Sequence, residues 1–178
     1  PNCLGVVNTH PAIRMDGCFA ESLPERGDIG FVSQSGALGG GILNILRDLN
    51  LGFSQFISIG NQADVNAETA MAYWENEEDV RQILLYMESI QNPANFREIA
   101  TRISKKKPIL ALKAGRSAAG ASAASSHTGS LAGADLAADA LLRQAGVIRE
   151  HSLQKLFATA KVFANCPIPK GNRVAIVT

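Results

Sequence analysis

The chain has 178 residues, of which 46% are hydrophobic and 19% are charged, and its formal net charge is +1. Such a composition supports one globular domain, and the near-zero net charge argues against nucleic acid or a membrane surface as a partner. No apolar run approaches the roughly 20 residues of a transmembrane helix, and no signal peptide is visible. The cysteines Cys3, Cys18 and Cys166 form no CxxC pair, so we predict no disulfide framework and no metal site, and a cytoplasmic location.

The two ends of the chain indicate neighbouring units. Residues 1–27 contain proline, glycine and asparagine with weak periodicity, and we interpret them as a segment that leads into the domain. Residues 166–178 combine two prolines with the apolar run RVAIVT, which predicts a linker and the first strand of a following domain. We therefore expect an excised piece of a longer polypeptide, with its own domain at 28–165.

Within 28–165, short apolar runs alternate with helical patterns. Strands are predicted at 28–33, 53–59, 80–87, 108–112 and 147–149, and helices at 37–50, 68–76, 94–105, 134–144 and 153–163. The run at 80–87 is apolar on both faces, which predicts a central strand. This alternation predicts an α/β fold of flavodoxin type: a doubly wound, parallel, five-stranded sheet in a three-layer α/β/α arrangement.

Four features fall at the carboxyl ends of these strands, where ligands bind in such sheets. They are the turn at 33–36, the turn at 60–64, Glu88 and a long loop that contains His127. The first turn opens a helix, whose unpaired amides and positive dipole end suit an anion such as phosphate, although it matches neither GxxxxGK[ST] nor GxGxxG. Ser35 as a plain helix cap remains the alternative there, and Asn61 and Asp64 equally suit a simple turn.

The loop at 113–133 reads KAGRSAAGASAASSHTGSLAG. It is much longer than a routine connection of roughly two to six residues, and its small side chains let backbone amides approach a ligand. His127 alone in it has nucleophilic and acid–base capacity, so we interpret the stretch as a catalytic loop that presents this imidazole. A plain surface loop with an inactive histidine remains the alternative. Arg116 is either a phosphate contact or a solvated cation, and Lys113 is undecided.

Four segments carry a family resemblance: SQSGAL at 33–38, SIGNQADV at 58–65, YMESI at 86–90 and ASSHTGSLAG at 124–133. In this order they resemble the NDP-forming acyl-CoA synthetases, relatives of succinyl-CoA synthetase, and most closely the acetate (ADP-forming) branch. Residues 2–5 resemble the end of the family's preceding CoA-binding domain, and 173–178 the start of its next flavodoxin-like domain. The CoA-binding and ATP-grasp domains are otherwise absent from the sequence.

The resemblance implies a reversible reaction in which a small acyl-CoA, ADP and phosphate give the acid, ATP and CoA. Phosphate attacks the thioester, His127 takes the phosphoryl group from the acyl phosphate, its loop swings, and the group passes to the nucleotide, with ADP and GDP both open. Glu88 would orient and charge the imidazole. Ser33, Ser35, Gly36 and Ala37 would bind phosphate, and Asn61, Asp64 and Arg116 are candidates for a ligand loop.

The resemblance also implies cofactors and partners. The parent enzyme would use CoA, ATP or ADP, and phosphate, with Mg²⁺ on the ATP-grasp domain, and the piece in hand would hold none of them firmly. Its partners would be CoA-binding and ATP-grasp domains or subunits of the same enzyme, and a homo-oligomer is open. We expect the isolated piece to be inactive.

Two other interpretations compete with a ligase. The chain could be a non-catalytic or acyl-CoA-sensing domain of a synthetase-like protein fused to a Gcn5-type lysine acetyltransferase, against which the retained His127 and Glu88 argue. A flavodoxin-like electron carrier is disfavoured, because Tyr73 and Trp74 lie in a helical pattern and are predicted to be packing residues rather than to stack on a flavin.

Overall fold

A computed structural model describes residues 2–20, 23–115, 135–169, 171, 173, 175 and 176, apart from the side chains at positions 44 and 47. The described residues form seven strands: β1 (Gly5–Asn8), β2 (Met15–Cys18), β3 (Arg26–Ser33), β4 (Phe53–Ser58), β5 (Gln82–Met87), β6 (Ile109–Lys113) and β7 (Ile148–Glu150). They also form five helices: α1 (Gly36–Asp48), α2 (Ala67–Trp74), α3 (Pro93–Ile103), α4 (Asp135–Gln144) and α5 (Leu153–Asn165).

The strands form one sheet in the order β2-β1-β4-β3-β5-β6-β7. Five neighbouring strands in this order are parallel, namely β4, β3, β5, β6 and β7. Numbered along the chain, these five lie in the order 2-1-3-4-5, which is the flavodoxin arrangement. The predicted doubly wound parallel sheet is therefore confirmed, with β5 in the interior of the sheet as expected.

The predicted number of strands is wrong, because a hairpin of β1 and β2 extends the sheet. β1 runs antiparallel to β4, with Val6 opposite Ile57 and Val7 opposite Phe56. A four-residue strand is too short to show a two-residue period, and pairing with a strand about fifty positions away stabilises it. Of residues 173–178, predicted to begin a strand, positions 173, 175 and 176 are described and lie in none.

Helices cover both faces of the sheet, which confirms the three layers. α2, α3 and α4 pack on one face, and α1 and α5 pack on the other. Trp74 is fully buried and donates its indole N–H to Oε1 of Gln55 at 2.9 Å, as expected of a packing residue. The same prediction for Tyr73 is wrong: it is 56% exposed, because adjacent helical positions point about 100° apart. Within the described ranges, no helix is long and apolar enough to cross a membrane.

Candidate functional site at the carboxyl ends of β3 and β5

The sheet reverses its strand order between β3 and β5, and this is the place where ligands bind in doubly wound sheets. Ser33 at the end of β3 lies opposite Tyr86 near the end of β5. The next backbone amide, that of Gln34, donates to the carbonyl oxygen of Tyr86 at 3.1 Å. The residues that follow the two strands are therefore neighbours: the turn into α1 on one side and Glu88 on the other.

Serine side chains shape the turn from β3 into α1. Ser33 is fully buried, and its hydroxyl donates to the carbonyl oxygen of Ser35 at 2.7 Å and accepts from the Ser35 amide at 3.2 Å. The Ser35 hydroxyl in turn accepts from the amide of Leu38 at 3.3 Å, so it caps the helix. Both serine side chains thus stabilise the turn itself.

The first turn of α1 retains the features of an anion site. The amides of Gly36 and Ala37 have no intrahelical acceptor, since they belong to the first turn of the helix. Ala37 is exposed and Gly36 is partly exposed. The Ser35 hydroxyl therefore caps the helix without occupying the amides of Gly36 and Ala37, and an anion site at the positive end of the helix dipole stays a prediction.

Gln34 joins this turn to the one that follows β5. It is 2% exposed, and its Oε1 accepts from the amides of Glu88 at 2.7 Å and Ser89 at 2.9 Å. Its Nε2 donates to the carbonyl oxygen of Ser89 at 2.7 Å. Sequence reasoning missed this residue, because nothing in the pattern SQSG shows that the glutamine reaches a turn more than fifty positions further along.

The turn after β4 joins the same network. Gln62 donates from Nε2 to the hydroxyl of Ser89 at 3.4 Å. Gln91 donates to the carbonyl oxygens of Asn61 at 3.5 Å and Gln62 at 3.4 Å. Side-chain amides therefore connect the three turns that follow β3, β4 and β5. Asp64, the other candidate in the second turn, is exposed to solvent.

The N-terminal segment forms a wall of the site that the sequence did not reveal. Asn2 donates from Nδ2 to Oδ1 of Asn61 at 2.8 Å, and the Leu4 amide donates to the hydroxyl of Ser58 at 2.8 Å. A Cβ at Gly36 would lie 2.7 Å from the carbonyl oxygen of Asn2, a distance that real Cβ atoms do not adopt. Gly36 therefore allows this segment to lie directly against the start of α1.

Two further ionisable groups lie at this end of the sheet. Lys113, 7% exposed, donates from Nζ to the carbonyl oxygen of Ala114 at 2.7 Å. Burial lowers its pKa and is the largest effect. Of the smaller effects, the charge of Asp135 raises the pKa, that of Arg149 lowers it and that of Glu88 raises it. Burial and then the charge of Glu88 raise the pKa of Tyr86. The tyrosine therefore stays neutral at physiological pH beside a carboxylate.

Arg116 and His127 lie outside the described residues, so the assignment of His127 as the nucleophile stays a prediction. The structure describes where the chain leaves β6 before them and where it resumes at the start of α4 after them. The Ala114 amide donates to the carbonyl oxygen of Met87 at 2.7 Å, which brings the start of the predicted loop beside the residue before Glu88. Among the described residues, no group of three His, Cys, Asp or Glu side chains is arranged to hold a metal ion.

The match to a protein family decides what this domain is. Residues 26–163 match the model of the succinyl-CoA ligase like flavodoxin domain. The chain belongs to this family. The match covers all five parallel strands and the residues between them, including the turn at Gln34 and the carboxylate Glu88.

Curated relatives and solved structures agree with this family. The chain is 42% identical over 178 residues to the ADP-forming acetate–CoA ligase of Methanocaldococcus jannaschii, covering 100% of this chain and 25% of that protein. It is 43% identical, over its whole length, to the alpha subunit of ADP-forming acetate–CoA ligase II of Pyrococcus furiosus, and covers 38% of it.

A solved structure has the same architecture. It is acetyl-coenzyme A synthetase 1 of Ca. Korarchaeum cryptofilum in complex with phosphate and ADP, with a TM-score of 0.88 and 34% identity, over 96% of this chain and 37% of that one. The chain thus spans between 25% and 38% of the length of these relatives. The resemblance to the acetate branch of the synthetases is confirmed.

Proposed function

We propose that the chain is the phosphoryl-transferring domain of an ADP-forming acyl-CoA synthetase. The enzyme would convert a small acyl-CoA, ADP and phosphate to the acid, ATP and CoA, and the names of its relatives favour acetate as the acid. Because the chain spans at most 38% of these relatives, the CoA-binding and nucleotide-binding domains would be supplied by further domains or subunits. Mg²⁺ would belong to the nucleotide-binding domain.

One observation carries this proposal: the start of α1 and Glu88 lie side by side where the sheet reverses its order, tied together by Gln34. The amides of Gly36 and Ala37 would bind phosphate, since a helix N-terminus favours an anion. Glu88 would lie opposite, where a carboxylate can accept a hydrogen bond from an incoming imidazole. Phosphoryl transfer needs little beyond such positioning and charge stabilisation.

The proposed chemistry has three steps. A phosphate oxygen attacks the thioester carbonyl carbon, the C–S bond breaks, and CoA leaves as the thiol after it takes up a proton. A ring nitrogen of His127 then attacks the phosphorus of the acyl phosphate, and the acid leaves as the P–O bond breaks. Finally, a terminal phosphate oxygen of ADP attacks the phosphohistidine, the P–N bond breaks, and ATP forms.

Glu88 would act in the second step through the other ring nitrogen of His127, before the group is carried to the nucleotide on another domain. A neutral imidazole has a lone pair available at pH 7, because its unperturbed pKa is about 6.5. A carboxylate hydrogen-bonded to the second nitrogen fixes the tautomer and stabilises the positive charge that grows on the ring. Loss of the Glu88 charge should therefore slow phosphoryl transfer between the acyl phosphate and His127 in both directions.

The test is acyl-CoA-dependent ATP formation by the complete enzyme, assayed with acetyl-CoA, ADP and phosphate. His127→Ala should abolish turnover, and Glu88→Gln should lower kcat by about 100-fold, within the range usual for acid–base partners. His151→Ala is the matched control, because this exposed histidine lies beyond β7, and it should retain wild-type activity. Full activity of His127→Ala would overturn the proposal.

A further inference from the structure

We propose that Gln34 is a positioning residue that sets the place of the Glu88 carboxylate relative to the phosphate-binding end of α1. The inference rests on the proposed function and assigns a role to a side chain that takes no part in bond formation. It follows from the three hydrogen bonds that Gln34 makes to residues 88 and 89.

The geometry suits a positioning role because hydrogen bonds fix both the backbone and the side chain of Gln34. Its backbone amide is bonded to Tyr86, and the next residue, Ser35, caps α1. Its side chain is buried and fully committed to the turn after β5. A single residue thus connects the N-terminus of α1 to the backbone of Glu88. A displacement of the Gln34 side chain would therefore move the Glu88 backbone relative to α1.

Glutamine has the chemistry that this position needs. Its amide oxygen accepts from two adjacent backbone N–H groups, and its NH₂ group donates to a carbonyl oxygen of the same turn. Methionine has a similar length but none of these hydrogen bonds, and asparagine is one methylene shorter. The other bond to this turn, from Gln62 to the Ser89 hydroxyl, is long at 3.4 Å and does not reach the backbone of Glu88.

The test is a double-mutant cycle on the rate at which acetyl-CoA and ³²P-phosphate label the complete enzyme, because this half-reaction takes place beside Glu88. Gln34→Met should slow labelling about 10-fold or more, because displacements of about 1 Å cost up to about 100-fold in rate. In the Glu88→Gln background, the same change should slow labelling by less than about twofold, since the carboxylate that Gln34 positions is no longer there. The KM for ADP should stay unchanged in all variants.

Two controls separate positioning from general loss of structure. Gln82→Met makes the same change at the opposite end of β5, where Gln82 is buried and donates to Asp28 at 3.3 Å, and it should not slow labelling in either background. If Gln34→Met does not fold, as judged by its thermal transition, Gln34→Asn replaces it in the cycle. This variant keeps a buried amide but loses the reach to Glu88.

The outcomes distinguish the inference from the proposed function. A labelled wild-type enzyme with non-additive effects of the two substitutions supports Gln34 as a positioning residue. Equal fold-losses in both backgrounds, or an equal loss in Gln82→Met, would overturn it while the proposed function stands. A wild-type enzyme that takes no label on His127 from acetyl-CoA and ³²P-phosphate would overturn the proposed function and this inference with it.

Discussion

The guanidinium group of Arg149 holds the first residue of α4, Asp135, by both its backbone and its carboxylate. It donates to the carbonyl oxygen of Asp135 at 3.2 Å and to the carboxylate of the same residue, and it reaches Asp139 at 3.3 Å. The Arg149 side chain is 6% exposed and belongs to the edge strand β7. The pair therefore ties the start of α4 to the edge of the sheet.

Arg149→Met should destabilise the domain by about 2 kcal/mol. Removal of one partner of a buried ion pair costs about 3–5 kcal/mol, and we expect less here because Asp135 and Asp139 are about a third exposed and water can solvate them. Urea unfolding of the chain measures the change.

Arg143→Met is the matched control. The Arg143 side chain is 82% exposed and pairs with Asp139 four positions earlier, so its loss should lower the free energy of unfolding by less than about 0.5 kcal/mol. Equal losses in the two variants would contradict the role given to Arg149.

Two glycines of α1 should respond in opposite directions to the same substitution. Gly41 lies inside the helix with nothing within 4 Å of a Cβ, so Gly41→Ala should stabilise the domain by about 0.5–1 kcal/mol. Gly36→Ala should destabilise it, because the new methyl group would lie 2.7 Å from the Asn2 carbonyl oxygen and backbone cannot easily give way. Thermal unfolding of both variants checks this pair, and stabilisation by Gly36→Ala would show that residues 2–4 do not lie against α1.

Glu68 should make the domain less stable as the pH rises. It is 3% exposed, its Oε1 has no hydrogen-bond partner among the described residues, and burial raises its pKa above the usual 4.5. Since the folded state binds this proton more tightly than the unfolded state, its contribution to stability falls between pH 4.5 and the raised pKa and is constant above it. Glu68→Gln should therefore stabilise the domain by about 1 kcal/mol at pH 7 and by less at pH 4.

Glu75 provides the comparison of opposite sign. Its carboxylate accepts from Lys106 at 2.6 Å and Arg102 at 2.9 Å, and these partners, Lys106 first, lower its pKa. Its stabilising contribution is present above the usual 4.5 and is lost as the pH falls through the lowered pKa. Glu75→Gln should thus destabilise the domain at pH 7 and have little effect near pH 2. Urea unfolding of both glutamine variants between pH 2 and pH 7 measures these effects. If the two substitutions changed the free energy of unfolding in the same direction at pH 7, the account would be contradicted.

The sequence predicted the parallel sheet because each of its strands has a local signal. The run at 80–87 is apolar on both faces, and the structure has β5 there, inside the sheet. β1 has no such signal, because a strand of four residues is too short to show a two-residue period and is stabilised by its pairing with β4. The neighbouring positions of Glu88 and the turn at Ser35 were predicted for the same reason, because both follow strong strands and parallel strands bring their carboxyl ends together. Gln34 and Asn2 were missed, because their roles depend on contacts with residues more than fifty positions away.

The most direct test of the account is to find where the phosphoryl group resides on the enzyme. The complete enzyme is incubated with γ-³²P-ATP, the label is tested for the acid lability and base stability of phosphohistidine, and its position is mapped by mass spectrometry. We predict one labelled residue, His127, with label lost in His127→Ala and unchanged in His151→Ala. Label on another residue, or turnover with no label on His127, would contradict the proposal that this domain carries the phosphoryl group.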